Sequence, residues 1–460
     1  MNDTNSLNMD NKILPLRSSA AHPLQKEGTP PFIKGVGGIP VPNAVHEVVI
    51  VGGGLVGGLC ALLLAEGGVP VTLLDAAAKP SPDLLAKRDA RVWALSPANI
   101  SLLERVGVWQ QVSRQATYTG MQVWNRDHRG LLEFGQPNCS DLTHSVHALG
   151  SMVEPSVLAL ALQQQLEQQP LITLHQACPV SQIDWYGDYW QISLADGQTL
   201  QTRLLIGADG ANSLVRRAAQ IGVQQLDYRQ TALTCAIRTE QPHQGVARQV
   251  FVNGGILAFL PMCELPDQSQ TGDWQSVVWS LPAVQAGDWA AADDAAFMQA
   301  LSEASGYMLG QVTALESRGQ FPLRAQQADQ YVMDGLALIG DAAHVVHPMA
   351  GQGVNLGLLD AAVLVDALLH DRARGLWAHR QTLRRFAARR RLPNSMMMHS
   401  LSVLGWLQAS DLAPLMWLRG EGMHWVEQQQ GLLDRFNRQA SGWPDLKHTR
   451  YQQRHASLTG

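Results

Sequence analysis

A glycine-rich turn near residue 50 constrains the fold of this 460-residue chain more than any other feature. The turn, residues 52–57, follows the apolar run 48–51, which predicts a buried strand. Residues 58–66 predict a helix, and the run 71–74 predicts a second strand. A strand, a glycine turn, a helix and a strand in this order predict a βαβ unit with parallel strands.

Three glycines in this turn, Gly52, Gly54 and Gly57, fit the pattern G-x-G-x-x-G. The first permits a tight turn, the second lets a pyrophosphate approach the backbone, and the third lets helix and strand pack closely. Asp75 follows about 20 residues later, where an acid can accept a hydrogen bond from a ribose hydroxyl. The unit therefore predicts a dinucleotide site, and a turn that serves packing alone is the alternative.

Two further acidic glycine turns follow apolar runs much later in the chain. The run 204–206 precedes G-A-D-G-A-N-S, which contains Asp209 and Gly210. The run 336–339 precedes G-D-A-A-H, whose acid is Asp341, and P-M-A-G-Q-G-V-N follows. A carboxylate accepts from sugar hydroxyls, and glycines let backbone N–H groups approach a ligand. Turns at the ends of parallel strands meet at one sheet edge, so together they predict one extended ligand with the shape of FAD.

The order of these three motifs resembles the class A flavoprotein aromatic hydroxylases, and more narrowly the ubiquinone-biosynthesis hydroxylases, over residues 46–445. Segments 120–125, 237–243 and 254–261 are similar to the member of that family that acts on polyprenylphenol. The resemblance implies an α/β fold. It comprises a Rossmann-like FAD-binding domain of the p-hydroxybenzoate hydroxylase type, a strand-rich substrate domain and a C-terminal helical region.

The resemblance also implies a division of the chain. Residues 1–45 mix Asn, Pro and Gly without periodicity and are expected to form a flexible tail. The expected division is an FAD-binding domain of residues 46–115, 150–225 and 320–375, a β-sheet substrate domain of residues 116–149 and 226–319, and C-terminal helices in 376–460.

Matched position by position, the family pattern implies where the cofactor binds. The first motif and Asp75 bind the ADP part, Arg91 lies near the flavin phosphates, and Asp341 holds the ribitol. The second motif handles both FAD and NAD(P)H, and Pro348 with the turn 351–355 lines the isoalloxazine. The full implied set is Gly52, Gly54, Gly57, Asp75, Arg91, Asp209, Gly210, Gly340, Asp341, Pro348, Gly351, Gly353, Val354 and Asn355. Asp75 replaces the commoner Glu, and Ala76 stands where an Arg often lies, so both changes are expected to weaken FAD retention.

The implied reaction is reduction of FAD by NADH or NADPH, addition of O2 at flavin C4a, and hydroxylation of a polyprenylated phenol by the resulting hydroperoxide. The flavin carries this chemistry, so no catalytic side chain is assigned. A metal at His344 and His347 lacks further nearby ligands. The alternatives are a later-step ring hydroxylase of the same family, a non-catalytic flavin-binding scaffold in a quinone-synthesis complex, and another flavoenzyme such as a polyprenyl reductase.

Composition limits the partners and the compartment. The net charge of −5 gives no electrostatic case for nucleic-acid binding. Five scattered cysteines without a C-x-x-C pair indicate a reducing compartment and no zinc site. Glu66 and Asp366 interrupt the best apolar runs, so we expect no transmembrane segment. With the family resemblance, this predicts a cytoplasmic protein that at most contacts the inner membrane peripherally, with ubiquinone-biosynthesis proteins as partners.

Two segments near the C-terminus have two interpretations each. The arginines at 384–385 and 389–391 contact anionic lipid headgroups or form a solvated helix face. The methionines at 396–398 line a prenyl tunnel or belong to the core.

Overall fold

The computed structural model describes residues 45–126, 131–135, 148–252, 255–266, 268–269, 271–346, 352–409 and 430–452. These residues belong to one compact unit, residues 43–460. The expected tail therefore lies outside the described residues, except for Val45.

Strands and helices alternate through the first half of the chain. The strands are β1 (Val49–Val51), β2 (Val71–Leu74), β3 (Trp93–Leu95), β4 (Ala116–Tyr118), β5 (Gly120–Asn125), β6 (Leu131–Gly135), β7 (Gly150–Val153), β8 (Ile172–His175), β9 (Val180–Trp185), β10 (Trp190–Leu194), β11 (Thr199–Thr202), β12 (Leu205–Gly207), β13 (Val223–Thr239), β14 (Val246–Val252), β15 (Gly255–Pro261), β16 (Trp274–Pro282), β17 (Val312–Ala328), β18 (Val332–Met333), β19 (Leu336–Leu338) and β20 (His344–Val345). The helices are α1 (Leu55–Glu66), α2 (Pro97–Arg105), α3 (Pro155–Gln168), α4 (Leu214–Ala218), α5 (Ala283–Ala291), α6 (Asp294–Ser305), α7 (Gln352–Arg372), α8 (Arg380–Ala409) and α9 (Gln430–Ala440). The predicted mixed α/β class is confirmed.

A six-stranded sheet in the order β18-β19-β12-β1-β2-β8 carries the three motifs. Its strands run parallel except at the β18–β19 pair. Strands β1, β2, β12 and β19 are buried along their whole length, which is typical of parallel sheets covered on both faces. In register, Val51 lies beside Gly207 and Leu74, and Gly207 lies beside Leu338. Four strand ends therefore meet at one edge.

A second, eight-stranded sheet follows the order β20-β17-β13-β16-β15-β14-β5-β6. It is antiparallel apart from the parallel β14–β5 pair, and α5 and α6 cover the apolar cluster that contains Trp279 and Phe297. The sequence predicts a strand-rich region over residues 228–324, but it does not predict α5 and α6. Two smaller sheets, β3-β7-β4 and β11-β10-β9, complete the architecture. The predicted domain boundaries stay a prediction.

Helix α7 forms much of the core beside the first sheet. Among the described residues one helix, Gly353–Arg372, is long and apolar enough to cross a membrane, but 72% of it is buried inside the protein. Leu358, Leu364 and Leu368 are inaccessible to solvent, and Leu369 packs beside Gly67 at the end of α1. The helix is therefore accounted for as a core element.

Candidate active site

The first glycine turn is held by contacts that only glycine allows. Gly52 has φ of 104°, and a Cβ there would lie 2.3 Å from the carbonyl oxygen of Ala208. A Cβ on Gly57 would lie 1.9 Å from the carbonyl oxygen of Gly52. Helix α1 begins at Leu55 rather than at residue 58, because Gly54 serves as its N-cap and the later glycines lie inside the helix. The turn therefore spans fewer residues than the sequence pattern predicted.

Gly54 faces open space, in contrast to its two partners. A Cβ on Gly54 would meet no atom of the described residues within 4 Å. The first turn of α1 holds no acidic residue, and no side chain caps it. Its N–H groups are therefore available to an anion, and the partial positive charge of the helix end favours one. This cradle fits the pyrophosphate of FAD.

Asp75 lies next to the same turn. Its Oδ2 is 2.6 Å from where a Cβ on Gly53 would stand, and its Oδ1 accepts a hydrogen bond from Ala77 N at 2.9 Å. The carboxylate is partly exposed and keeps capacity to accept from a ribose.

The carboxylate of Asp209 is held by the residues that begin the next helix, and its implied role in handling FAD and NAD(P)H stays a prediction. Its carboxylate accepts from Ser213 Oγ at 2.5 Å, from Leu214 N at 2.6 Å and from Val215 N at 3.1 Å. The side chain thereby holds the start of α4, and Gly210, with φ of 79°, turns the chain beside it. The second motif therefore shapes this sheet edge mainly through its backbone, because its carboxylate already accepts three hydrogen bonds.

Buried Arg216 joins the second turn to the third. Its guanidinium donates to Ala211 O at 2.8 Å and to Ala342 O at 2.9 Å. The sequence analysis assigned no role to this arginine. A basic residue directly after an apolar strand and turn was the available signal.

The third turn presents Asp341 at the sheet edge. Gly340, with φ of 58°, and the short 3-10 helix Gly340–Ala342 aim this residue away from the core. Its side chain is exposed, yet the surrounding protein raises the pKa of Asp341 by desolvation, against the lowering effects of His344 and Arg91. A carboxylate presented at the sheet edge is suited to accept from the hydroxyls of a polyol.

Arg91 lies close enough to Asp341 to lower its pKa, and two contacts anchor the chain just before it. The buried pair Arg114–Glu154, 2.6 Å apart, holds Asp89, since Glu154 also accepts from Asp89 N at 2.7 Å. The side chain of Arg88 stacks 3.7 Å over the Trp274 ring of the eight-stranded sheet. Sequence reasoning missed these anchors, because their partners lie far apart in the chain.

The start of α7 closes the site. Gly353 and Val354 are partly buried in its first turn. Asn355 is buried, accepts from Ser96 N at 3.0 Å and donates to Ala94 O at 2.7 Å. It therefore fixes α7 against β3 and α2. Pro348 and Gly351 lie outside the described residues, as does His347.

The described residues hold no group of three or more His, Cys, Asp or Glu side chains placed to bind a metal. His344 instead contacts Asp360, with 2.5 Å between Nε2 and Oδ2. The structure therefore brings Gly52, Gly54, Gly57, Asp75, Asp209, Gly210, Gly340 and Asp341 to one edge of the parallel sheet. This donor set fits the extended shape of FAD.

Residues 45–399 match the family described as FAD binding domain. The chain is 35% identical over 397 residues to 3-demethoxyubiquinol 3-hydroxylase of Escherichia coli K12, covering 85% of this chain and 97% of that protein. It is 34% identical to ubiquinone hydroxylase UbiL of Rhodospirillum rubrum, covering 90% and 94%. It is 30% identical to the human mitochondrial ubiquinone biosynthesis monooxygenase COQ6, covering 83% and 89%.

Solved structures support the fold. The p-nitrophenol 4-monooxygenase PnpA from Pseudomonas putida DLL-E4 superposes with a TM-score of 0.68 at 19% identity, over 86% of this chain and 97% of that one. PqsL from Pseudomonas aeruginosa gives a TM-score of 0.64 at 23% identity, over 79% and 97%. The predicted p-hydroxybenzoate hydroxylase type of fold and the predicted FAD cofactor, with NAD(P)H as co-substrate, are confirmed. The chain belongs to the FAD-dependent aromatic-ring monooxygenases, in the family of the ubiquinone-biosynthesis hydroxylases.

Proposed function

We propose that this protein hydroxylates the aromatic ring of a polyprenylated phenol during ubiquinone biosynthesis, using FAD, NAD(P)H and O2. The observation that carries the substrate class is an apolar cluster beside the third turn. Val123, Phe251 and Ile256 of the eight-stranded sheet pack with Val346 and Leu356, which both follow that turn in the chain. An apolar wall opposite the flavin turn suits a phenol that carries a hydrocarbon chain.

Polyprenylphenol is proposed as the substrate because three segments of this chain are similar to the family member that acts on polyprenylphenol. The described parts of segments 120–125, 237–243 and 254–261 belong largely to β5, β13 and β15, all in the eight-stranded sheet. The similarity to that family member therefore lies in the sheet that supplies Val123, Phe251 and Ile256 to the apolar cluster. A later-step hydroxylation is the second candidate, favoured by the similarity to the E. coli 3-demethoxyubiquinol 3-hydroxylase.

The protein's own residues bind, orient and exclude water in this proposal. Bound FAD supplies hydride acceptance and oxygen activation. The N-terminus of α1 receives the pyrophosphate, Asp75 the ribose and Asp341 the ribitol, and Arg91 lies near the phosphates. The apolar cluster around Val123 keeps water from the reacting ring, which protects reactive species from hydrolysis.

Contact with the inner membrane, from a cytoplasmic location, belongs to the same proposal, because a polyprenyl chain partitions into lipid. The arginines of α8 offer limited positive charge for this membrane contact. Arg385 pairs with Asp371, Arg389 with Asp366, and Arg390 is buried, whereas Arg384 and Arg391 are exposed. Most of this run therefore serves the fold.

The methionines divide in a similar way. Met398 is buried in the apolar cluster with Val123, whereas Met396 is 62% exposed. Met398 therefore fits the proposed site for the hydrocarbon chain better than Met396 does. Protein partners of a quinone-synthesis complex remain part of the proposal.

Mass spectrometry of the prenylated lipids in cells that lack this gene tests the proposed step. We expect polyprenylphenol to accumulate and ubiquinone to fall. A methoxylated intermediate would move the protein to a later hydroxylation, and unchanged ubiquinone without an intermediate would overturn the proposal. Expression of Asp341→Ala in these cells separates enzyme from scaffold, since full recovery of ubiquinone would support the scaffold.

A further inference from the structure

A fully buried charged cluster lies behind the third turn. The carboxylate of Asp360, on α7, is hydrogen-bonded to both ends of this turn, Gly340 and His344. Its Oδ2 accepts from Gly340 N at 3.1 Å and from His344 Nε2 at 2.5 Å. Its Oδ1 accepts from Arg390 Nε at 2.7 Å. Asp341 directly follows Gly340, so its position depends on these hydrogen bonds.

The cluster is anchored on the C-terminal part of the chain. Arg390, on α8, also donates to Asp445 Oδ1 at 2.5 Å and to Asn394 Oδ1 at 2.9 Å, and Asn394 donates to Asp360 Oδ1 at 3.1 Å. The side chains of Asp360 and Arg390 are 0% and 1% exposed. Every oxygen of Asp360 therefore has a donor, which a buried carboxylate requires.

The groups that surround Asp360 favour its ionised form. Burial alone would raise the pKa of Asp360, but the charges of His344 and Arg390 outweigh it and lower that pKa to about 2. An ionised acceptor makes Nε2 of His344 the donor in their hydrogen bond. Nδ1 of His344 is buried without a partner among the described residues, so the ring is held from one side by Asp360 and by stacking on Tyr331.

We propose that Asp360, with His344 and Arg390, is a positioning device that sets Gly340 and Asp341 for FAD, so that helix α8 governs cofactor affinity without touching the cofactor. This inference rests on the proposed role of Asp341 as the ribitol acceptor. None of the three residues is needed for proton transfer. Their effect comes through the geometry of one turn.

The same two helices offer a matched control at their other end. Asp371 of α7 is 1% exposed and accepts from Thr382 and Arg385 of α8. It lies in the last turn of α7, away from the third turn, yet joins the same helix pair by a buried carboxylate. Asp371→Asn should therefore weaken helix packing without moving Asp341.

The test measures the Kd for FAD of the full-length apoprotein by quenching of flavin fluorescence, beside the Tm of the apoprotein and the visible circular dichroism of bound flavin. We expect Asp360→Asn to raise the Kd at least tenfold and change the flavin dichroism. Asp371→Asn should lower Tm comparably and leave the Kd within twofold. His344→Gln, which keeps a donor for Asp360, should give a smaller rise and provides a second variant if Asp360→Asn does not fold.

The double variant Asp341→Ala/Asp360→Asn separates the possible failures. If Asp360 acts through Asp341, the two changes are non-additive, and the second adds little to the rise in Kd from the first. Equal effects of Asp360→Asn and Asp371→Asn, or full additivity, would overturn the positioning role. An unchanged Kd in Asp341→Ala alone would instead overturn the proposed role of Asp341.

Discussion

Gly57→Ala is expected to prevent the FAD-binding sheet from folding, whereas Gly54→Ala is expected to leave the fold intact and weaken FAD binding. A Cβ at residue 57 would stand 1.9 Å from the carbonyl oxygen of Gly52 and 3.1 Å from the Ala208 Cβ, and backbone atoms cannot give way as a flexible side chain can. Overpacking typically costs about 1–3 kcal/mol and occasionally more, and a contact this short with a backbone oxygen belongs at the upper end.

Gly54 offers the opposite case within the same turn. Its backbone, with φ of −62° and ψ of −177°, is one that alanine adopts, and a Cβ there meets open space. Loss of a favourable N-cap costs about 1 kcal/mol. The added methyl group would occupy the space through which a pyrophosphate approaches the N–H groups of α1.

Thermal unfolding of both apoproteins and titration with FAD check this pair. Gly57→Ala should show little cooperative unfolding. Gly54→Ala should unfold within a few degrees of the unaltered protein and show at least a tenfold higher Kd for FAD. Unaltered FAD affinity in Gly54→Ala would mean that the pyrophosphate does not lie at the start of α1.

Asp341→Ala is expected to raise the Kd for FAD by about 10- to 100-fold, because a hydrogen bond to a charged acceptor is worth about 1.5–3 kcal/mol. The carboxylate is exposed at the sheet edge and makes none of the hydrogen bonds that hold the described fold, so its removal should cost affinity rather than stability. NAD(P)H oxidation at limiting FAD should fall in parallel and recover with excess FAD.

Asp334 provides the control for Asp341. It precedes the strand β19 that Asp341 follows, and its exposed side chain pairs with Arg380 at 3.2 Å. Asp334→Ala should change neither the Kd for FAD nor NAD(P)H oxidation. If both variants raised the Kd for FAD equally, the loss of any negative charge in this region would explain the effect. Asp341 would then not be the ribitol acceptor.

The sequence was sufficient for the parts of the fold that depend on local patterns. The apolar runs and the turns that bound them predicted strands β1, β2, β12 and β19, because a short apolar run bounded by turn residues is typical of a buried strand. The family resemblance predicted the cofactor and the reaction class. The sequence alone predicts one helix over residues 101–111, but the chain divides there into α2 and the 3-10 turn Trp109–Gln111, since Gly107 takes φ of 80° between them.

Contacts between distant segments could not be read in the same way. Arg390 was read as part of a basic run, but it is buried on Asp360, 30 residues away. A charged residue inside an apolar helix, such as Asp360, was the signal for such a partner, since a buried charge must be paired.

The most direct test of the central claim is incorporation of labelled oxygen by the purified protein. FAD-loaded protein, NAD(P)H, ¹⁸O₂ and a short-chain polyprenylphenol are incubated, and the lipid product is analysed by mass spectrometry. We expect one ¹⁸O atom on the ring of the product, dependent on reduced nicotinamide and lost in Asp341→Ala at limiting FAD. Oxidation of NAD(P)H without labelled lipid, with every ring substrate of the pathway tried, would contradict the assignment as a ring hydroxylase.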